Sequence, residues 1–167
     1  MPVDQAAYRD AMARLGAAVS VITTDGLAGR SGFTASAVCS VTDQPPTLLV
    51  CMNRSSFSNV HFKTNGVLSV NVLTPGHQEV SGAFSNRNLD TEQRFSCASW
   101  STLESGAPLL DESLVSFDCR IAQAHEVGSH TIFYCEVLGI RNGESQEGLV
   151  YFNRAYHRLG DASKATS

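Results

Sequence analysis

Short segments with β-strand patterns dominate this sequence of 167 residues and set narrow bounds on its fold. Each segment alternates polar and apolar residues or runs continuously apolar, and each is rich in β-branched or aromatic residues. They comprise residues 17–24, 32–41, 47–52, 67–73, 114–124, 131–140 and 149–152. Many short strands with few helices predict a mainly β protein. Closure or near closure into a β-barrel would remove exposed sheet edges.

Three further segments are predicted to be short helices, at residues 4–15, 56–64 and 78–84. Asp4 is a suitable N-cap for the first, whose apolar residues recur on one face, and Gly16 is placed to end it. Residues 99–111 are predicted to form a connecting loop. Because no repeats or linkers interrupt the chain, we predict one domain, residues 1–160, and a flexible tail, residues 161–167.

The overall charge and hydropathy exclude several classes of function. The formal net charge is -4, so the chain lacks a general basic field that would hold nucleic acid or anionic lipid. No apolar run approaches the ~20 residues needed to cross a membrane. The N-terminal residues are polar and acidic, unlike a signal peptide, and a cytoplasmic location is therefore predicted.

The cysteines and histidines show no metal-binding pattern. The five cysteines form no CxxC pair, and their odd number argues against a disulfide framework. No two histidines have metal-ligand spacing with a third ligand nearby. We predict reduced thiols buried as small hydrophobic side chains, and no metal site.

The usual nucleotide-binding motifs are missing. Gly26, Gly29 and Gly32 are spaced by three residues but do not match GxGxxG. They lie between two predicted strands, so a hairpin turn is the better interpretation. No P-loop motif occurs either, so a nucleotide would have to bind to a different kind of site.

Two segments are rich in small side chains and hydrogen-bond donors, residues 32–37 (GFTASA) and 53–59 (NRSSFSN). The second leaves an apolar strand and enters a predicted helix, where free N–H groups and hydroxyls suit a phosphate and Arg54 adds charge. The first would let the main chain approach a planar ring closely. Each has a simpler interpretation as well: helix capping for the second and tight barrel packing for the first.

One histidine stands in a notable position. His130 follows Gly128 and Ser129 in a turn between two predicted strands. Turns on a rigid scaffold often carry function, although an ordinary surface histidine is the simpler interpretation. Tyr156 and His157 follow the last strand and carry little information alone.

The order of several motifs along the chain adds a resemblance to these patterns. The motifs are residues 8–12 (YRDAM), 16–19 (GAAV), 22–24 (ITT), 32–41 (GFTASAVCSV), 45–51 (PPTLLVC), 70–73 (VNVL), 94–95 (RF), 128–130 (GSH), 148–152 (GLVYF) and 156–157 (YH). Together they resemble the flavin reductase-like family, whose fold is an FMN-binding split β-barrel. The resemblance is strongest to reductase components of two-component flavin monooxygenases, such as those of 4-hydroxyphenylacetate oxidation and pyrimidine utilisation.

The resemblance implies a set of site residues. By the family pattern, the isoalloxazine ring and ribityl chain are lined by Thr34, Ala35, Ser36, Ala37 and Val38, with Cys51 in the same set. The ribityl and phosphate region falls to Asn53, Ser55 and Ser56, flanked by Phe84, Ser85 and Arg94. His130 is the implied catalytic residue, which positions the nicotinamide, and Tyr156 borders the same pocket.

The resemblance also implies an activity. Such a protein uses NADH, or NADPH, to reduce FMN or FAD and supplies reduced flavin to a partner monooxygenase, and it is usually a homodimer. Ser129 departs from the family's Gly-Asp-His motif, and only Arg54 brings charge where some relatives carry lysines. The alternatives are a pyridoxamine-phosphate-oxidase-like enzyme, an FMN carrier or sensor without reductase activity, and a structural barrel without a ligand.

Overall fold

The structure, a computed structural model, describes residues 2–160. The helices are α1 (Gln5–Met12), α2 (Asn59–Asn65), α3 (Gln78–Ser85) and α4 (Thr91–Phe95), with a 3₁₀ turn at Pro75–His77. The strands are β1 (Ala17–Ala18), β2 (Ser20–Thr24), β3 (Ser31–Ala35), β4 (Val38–Asp43), β5 (Pro46–Asn53), β6 (Val67–Val72), β7 (Trp100–Ser101), β8 (Leu109–Leu110), β9 (Val115–Val127), β10 (His130–Asn142), β11 (Gly148–Phe152) and β12 (Ala155–Leu159). The prediction of a mainly β protein is confirmed.

Seven strands form the main sheet, in the order β3-β2-β6-β9-β10-β5-β4, and every pairing is antiparallel. A second sheet has the order β1-β11-β12, and β7 pairs with β8. The hairpin predicted at the glycines between β2 and β3 is confirmed. Two register shifts interrupt the long β9–β10 hairpin, and such irregularities bend a strand pair.

The edges of the main sheet explain the split barrel. β3 and β4 lie at opposite edges, yet only Ser36 and Ala37 separate them along the chain. Because the three Cα–Cα steps from Ala35 to Val38 span at most about 11 Å, the sheet must curl until its edges come close together. The edges are not hydrogen-bonded to each other as strands, so the barrel stays open along this line. The predicted split barrel is confirmed.

The core has two parts. One fills the barrel and includes Ile22, Val50, Phe62, Val70 and Phe133. The other lies between the barrel and α3 and α4, and it includes Val21, Leu73, Phe84, Phe95 and Leu149.

A buried amide joins several strands between these two parts. The Asn71 side chain is fully buried and donates from Nδ2 to Val21 O at 3.0 Å. Its Oδ1 accepts from the Leu110 N–H at 2.9 Å and from Ser116 Oγ at 2.8 Å. These bonds link β2, β6, β8 and β9. The asparagine in the motif of residues 70–73 therefore has a structural role, since both polar atoms of its side-chain amide are hydrogen-bonded.

Several predicted boundaries were wrong. The first helix is capped by Asp4 as predicted but ends at Met12, before Gly16, and buries no residue. The predicted strands 17–24 and 32–41 are each broken in two, and the predicted loop 99–111 contains β7 and β8. Of the cysteines, which were predicted to be buried, Cys119 and Cys135 are, but Cys39 is exposed. The predicted tail, residues 161–167, lies outside the described residues.

Within residues 2–160, no helix is both long enough and apolar enough to cross a membrane. The cytoplasmic location stays a prediction.

His77 gives the fold an expected pH dependence, because it stabilises the turn before α3. Its Nδ1 accepts a hydrogen bond from the Thr74 N–H at 3.0 Å. Burial lowers the pKa of His77, against an opposing effect of Glu112. The unfolded chain therefore takes up a proton more readily than the folded protein. The contribution of His77 to the free energy of unfolding should be fully present above the unfolded-state pKa of about 6.5 and should be lost as the pH drops below it.

Urea unfolding at pH 7.5 and at pH 5.5 would measure this effect. We expect a lower midpoint at the lower pH, and a smaller difference between the two midpoints in His77→Gln. An unchanged difference in that variant would assign the pH dependence to other groups.

Candidate functional site

A cavity of about 840 Å³ opens beside the split in the barrel. This volume falls within the range of about 300–1,000 Å³ that is typical of small-molecule sites. The end of β3, the loop after β5, α3 and the segment entering α4 form its walls. The lining residues are Phe33, Thr34, Asn53, Ser55, Ser56, Phe57, Ser58, Phe84, Ser85, Arg87, Leu89, Asp90, Thr91, Glu92 and Arg94.

The structure brings most of the predicted site residues together. The large cavity is lined by Thr34, Asn53, Ser55, Ser56, Phe84, Ser85 and Arg94. A smaller cavity of about 230 Å³ is lined by Val19, Thr34, Ala35, Ser36, Ser81, Ser85, Tyr151 and Tyr156. Thr34 and Ser85 line both, so the two cavities meet at these residues. Segments that are far apart in sequence thus share one site.

Four predicted residues line neither of these cavities. Ala37 and Cys51 are joined to each other, since the Cys51 N–H donates to Ala37 O at 3.1 Å. Val38 packs against the barrel core. Burial raises the pKa of the Cys51 thiol, which favours its neutral form. His130 is exposed and lies opposite Asn53 in the pairing of β10 with β5.

The loop after β5 is held by Asn53, the last residue of that strand. Asn53 Oδ1 accepts from the Ser55 N–H at 2.9 Å and from Ser55 Oγ at 2.8 Å, a turn that asparagine commonly makes. The Ser56 N–H donates to Asn53 O at 3.2 Å. The serines therefore sit at fixed positions on the cavity wall before any ligand binds.

A carbonyl on α3 organises the boundary between the two cavities. Ser81 O accepts from Thr34 Oγ1 at 2.7 Å and from Ser85 Oγ at 2.6 Å. The hydroxyls of Ser81 and Tyr156 are 2.7 Å apart. Each hydroxyl that donates in this network keeps acceptor capacity for a ligand.

The main chain of β3 supplies further polar groups. β3 is an edge strand with β2 as its one neighbour, so about half of its N–H and C=O groups point away from that neighbour. Ala35 and Ser36 are small, and their main chain can therefore lie close to a flat ring. This arrangement suits a ligand with hydrogen-bonding atoms along one edge.

Arg94 places a fixed positive charge beside the large cavity. Its Nη1 donates to Gly32 O at 2.9 Å and its Nη2 to Asn86 O at 3.0 Å. Burial lowers its pKa, but a guanidinium stays charged at neutral pH. Its buried Nε–H has no hydrogen-bond partner among the described residues.

Sequence reasoning missed the far wall of the large cavity, formed by residues 87–92. A signal was present, because Asp90 and Gln93 have the spacing of a helix capping box. The structure forms this box: Asp90 Oδ1 accepts from the Gln93 N–H at 2.8 Å, and Gln93 Oε1 accepts from the Asp90 N–H at 2.9 Å. It begins α4, which carries Arg94.

Arg54 does not lie where the sequence suggested. It does not line the cavity next to the predicted phosphate position. Instead its Nε is 2.5 Å from Glu126 Oε2, and its Nη1 donates to Gly128 O at 3.1 Å. Its neighbours Asn53 and Ser55 line the cavity, whereas Arg54 does not.

The profile of the flavin reductase like domain matches residues 12–160 of this chain. The chain belongs to the flavin reductase-like family. The match includes both cavities and the turn that carries His130, and it leaves out most of α1.

Individual relatives agree with this membership. An FMN reductase (NADH), RutF, of Ancylobacter novellus is 55% identical over 152 residues, which cover 91% of this chain and 83% of the relative. A Haemophilus somnus protein assigned as a flavin reductase has a crystal structure that superposes with a TM-score of 0.91, at 47% identity, covering 94% of this chain and all of that one. The Streptomyces globisporus NADH:FAD oxidoreductase SgcE6, solved with NAD and FAD fragments, superposes with a TM-score of 0.88 at 26% identity, covering 96% of each chain.

Proposed function

We propose that this protein is an NADH-dependent flavin reductase that reduces FMN and supplies the reduced flavin to a monooxygenase. The observation that carries the proposal is the shared site: the edge strand β3 and the Asn53–Ser56 loop line one continuous pair of cavities in a chain of this family. Curated relatives at 51–55% identity are named FMN reductase (NADH), which supports FMN and NADH as the substrates.

The chain's own residues fit a flavin. The main chain at Thr34–Ser36 would hold the polar edge of the ring, and Asn53, Ser55 and Ser56 would bind the ribityl chain and phosphate. Arg94 adds positive charge to the same cavity. Bound flavin supplies the hydride acceptor, so the protein needs only to bind, orient and hold the two substrates together.

Tyr156 and His130 would hold the nicotinamide beside a bound flavin. Tyr156 lines the smaller cavity beside Thr34, and its hydroxyl is held by Ser81. His130 lies opposite Asn53, and its Nδ1 is 2.8 Å from Ser129 Oγ. Ser129 thus contacts the histidine at the position where the family motif has an aspartate.

A homodimer belongs to the proposal as well. Large apolar side chains that are exposed on α1, β11 and β12 and lie outside the two cavities include Tyr8, Met12, Phe152 and Leu159. A second copy would cover such a surface. Sedimentation at several protein concentrations would measure the oligomeric state. A monomer at every concentration would contradict the proposed homodimer.

A spectroscopic assay tests the activity. Purified protein is mixed with NADH and FMN, and the loss of the NADH absorbance band is followed, with FAD, NADPH and flavin-free reactions as comparisons. We expect flavin-dependent oxidation that is fastest with FMN and NADH. Binding of FMN without NADH oxidation would instead indicate a carrier or sensor.

Flavin exchange distinguishes a shuttle from a resident cofactor. We expect dialysis to remove FMN and added FMN to restore turnover. Flavin that stays bound in a one-to-one ratio through repeated turnover would contradict supply to a partner enzyme.

His130→Ala should weaken NADH binding more than it slows the reaction. Hydride transfer to flavin needs no proton donor from the protein, so the imidazole serves to position the nicotinamide. We expect the KM for NADH to rise about tenfold, with kcat changed by less than about threefold. Steady-state kinetics with saturating FMN would measure both. A collapse of kcat at an unchanged KM would assign His130 a chemical role.

A further inference from the structure

The Arg54 side chain joins the flavin loop to the turn that carries His130. Arg54 directly follows Asn53, the last residue of β5, which lines the large cavity. Its main-chain N–H donates to Ser129 O at 2.9 Å, and its Nη1 donates to Gly128 O at 3.1 Å. One residue therefore makes two hydrogen bonds to the two-residue turn between β9 and β10.

Glu126 holds the other side of Arg54. Its carboxylate is 2.5 Å from Arg54 Nε and accepts from Lys63 Nζ at 2.5 Å. It also accepts from Thr131 Oγ1 at 3.0 Å. The hydrogen bond from Lys63 is the main reason that the pKa of Glu126 lies below its ordinary value, and the carboxylate is charged at neutral pH.

The residues on both sides of His130 are thus tied down while its ring is exposed. The main-chain carbonyl of Ser129, which precedes His130, accepts from the Arg54 N–H. The hydroxyl of Thr131, which follows His130, donates to the Glu126 carboxylate. Asn59 Nδ2 contacts Thr131 Oγ1 at 3.2 Å and Asn53 O at 3.4 Å, which closes the network back to the loop. The main-chain position of His130 is set from the flavin loop.

We propose that Arg54, held by Glu126, is a positioning residue that aligns His130 with bound flavin. This inference rests on the proposed function of the site. Arg54→Ala keeps the main-chain bond to Ser129 O but removes the side-chain bond to Gly128 O and the ion pair with Glu126. We therefore expect the Gly128–Ser129 turn to move more freely in this variant, so that the imidazole no longer meets the nicotinamide in a fixed place. Arg54 itself contacts neither substrate.

The chain offers a matched control on the same hairpin. Arg120 and Glu136 form an ion pair of 2.5 Å, and its side-chain exposures of 53% and 36% equal those of Arg54 and Glu126. Arg120 lies opposite Glu136 in the β9–β10 register, away from the turn. Arg120→Ala therefore removes a comparable ion pair without touching the turn.

Kinetics of Arg54→Ala and Arg120→Ala are the first test. We expect Arg54→Ala to raise the KM for NADH roughly five- to tenfold with kcat changed less than about threefold, and Arg120→Ala to leave both within about twofold. Arg54→Lys should recover part of the loss, because it keeps the charge opposite Glu126. Equal effects of the two alanine variants would overturn the proposal.

A double-mutant cycle with His130→Ala is the second test. If Arg54 acts through His130, Arg54→Ala should raise the KM for NADH less than about twofold when His130 is already absent. The same fold increase in both backgrounds would mean that Arg54 acts by another route and would overturn the proposal.

Hydrogen exchange gives a readout that does not depend on activity. We expect faster amide exchange across residues 127–131 in Arg54→Ala than in the unchanged protein, and no such increase in Arg120→Ala. Unchanged exchange would reject the positioning role even if the kinetics changed. If the wild-type protein fails to oxidise NADH with FMN, that result would instead reject the proposed function, together with the proposed role of Arg54 in nicotinamide binding.

Discussion

Asn71→Ala is expected to lower the free energy of unfolding by about 2–5 kcal/mol. The substitution removes the amide that pairs with the Leu110 N–H and Val21 O, whereas Ser116 Oγ keeps its contact with Ser113 Oγ at 2.7 Å. These groups are buried, so water cannot replace the amide without opening the structure. Each unsatisfied buried group costs about 1–3 kcal/mol.

Urea unfolding followed by circular dichroism would measure this loss. Ser69→Ala is a suitable control, because Ser69 lies on the same strand, is equally buried and makes a longer bond of 3.3 Å to Asn71 Oδ1. We expect that control to lose less than about 1.5 kcal/mol. Similar midpoints for the two variants would show that the amide network contributes little to stability.

Phe84→Ala is expected to cost about 3–5 kcal/mol of stability and to weaken FMN binding as well. The Phe84 ring is 1% exposed and packs edge-on against Phe95 at 5.0 Å and Trp100 at 5.5 Å between centroids. It also lies against Gly32, where an added Cβ would come within 2.7 Å of Phe84 Cε1. Because Phe84 lines the large cavity, removing it changes the site together with the core.

Leucine variants separate these two effects, since they reduce the risk of unfolding. Phe84→Leu and Phe133→Leu each replace a fully buried ring, but Phe133 does not line the cavity. We expect both to lose stability and only Phe84→Leu to raise the Kd for FMN, by about tenfold. A flavin fluorescence titration would measure it. Equal Kd values would exclude Phe84 from the flavin site.

The sequence predicts where most strands lie, because their apolar and β-branched residues are dense. It does not predict the break at Ser36 and Ala37, where the residues look like any strand and the interruption comes from the curling of the whole sheet. β12 was also missed. All of its residues are exposed, so no buried face imposes an alternating pattern.

The site residues likewise fall into those that the sequence could predict and those that it could not. Segments 34–36 and 53–56 could be assigned from small donor-rich residues together with the family resemblance. The direction of Arg54 could not, because Asn53 and Arg54 are neighbours and only the folded loop decides which faces the cavity. The wall at residues 87–92 depends on how the chain folds back between α3 and α4, and a capping box alone does not reveal that path.

The long β9–β10 hairpin has a consequence for how the chain reaches its native state. Its two arms of 13 residues are joined by two residues, so it can pair soon after both arms are free. β6 and β5, which lie far earlier in the chain, add to its outer sides across long intervening segments. Such distant pairings are slow because a large loop must close first. We therefore expect the hairpin to act as a template during folding, with the two halves of the sheet docking onto it afterwards.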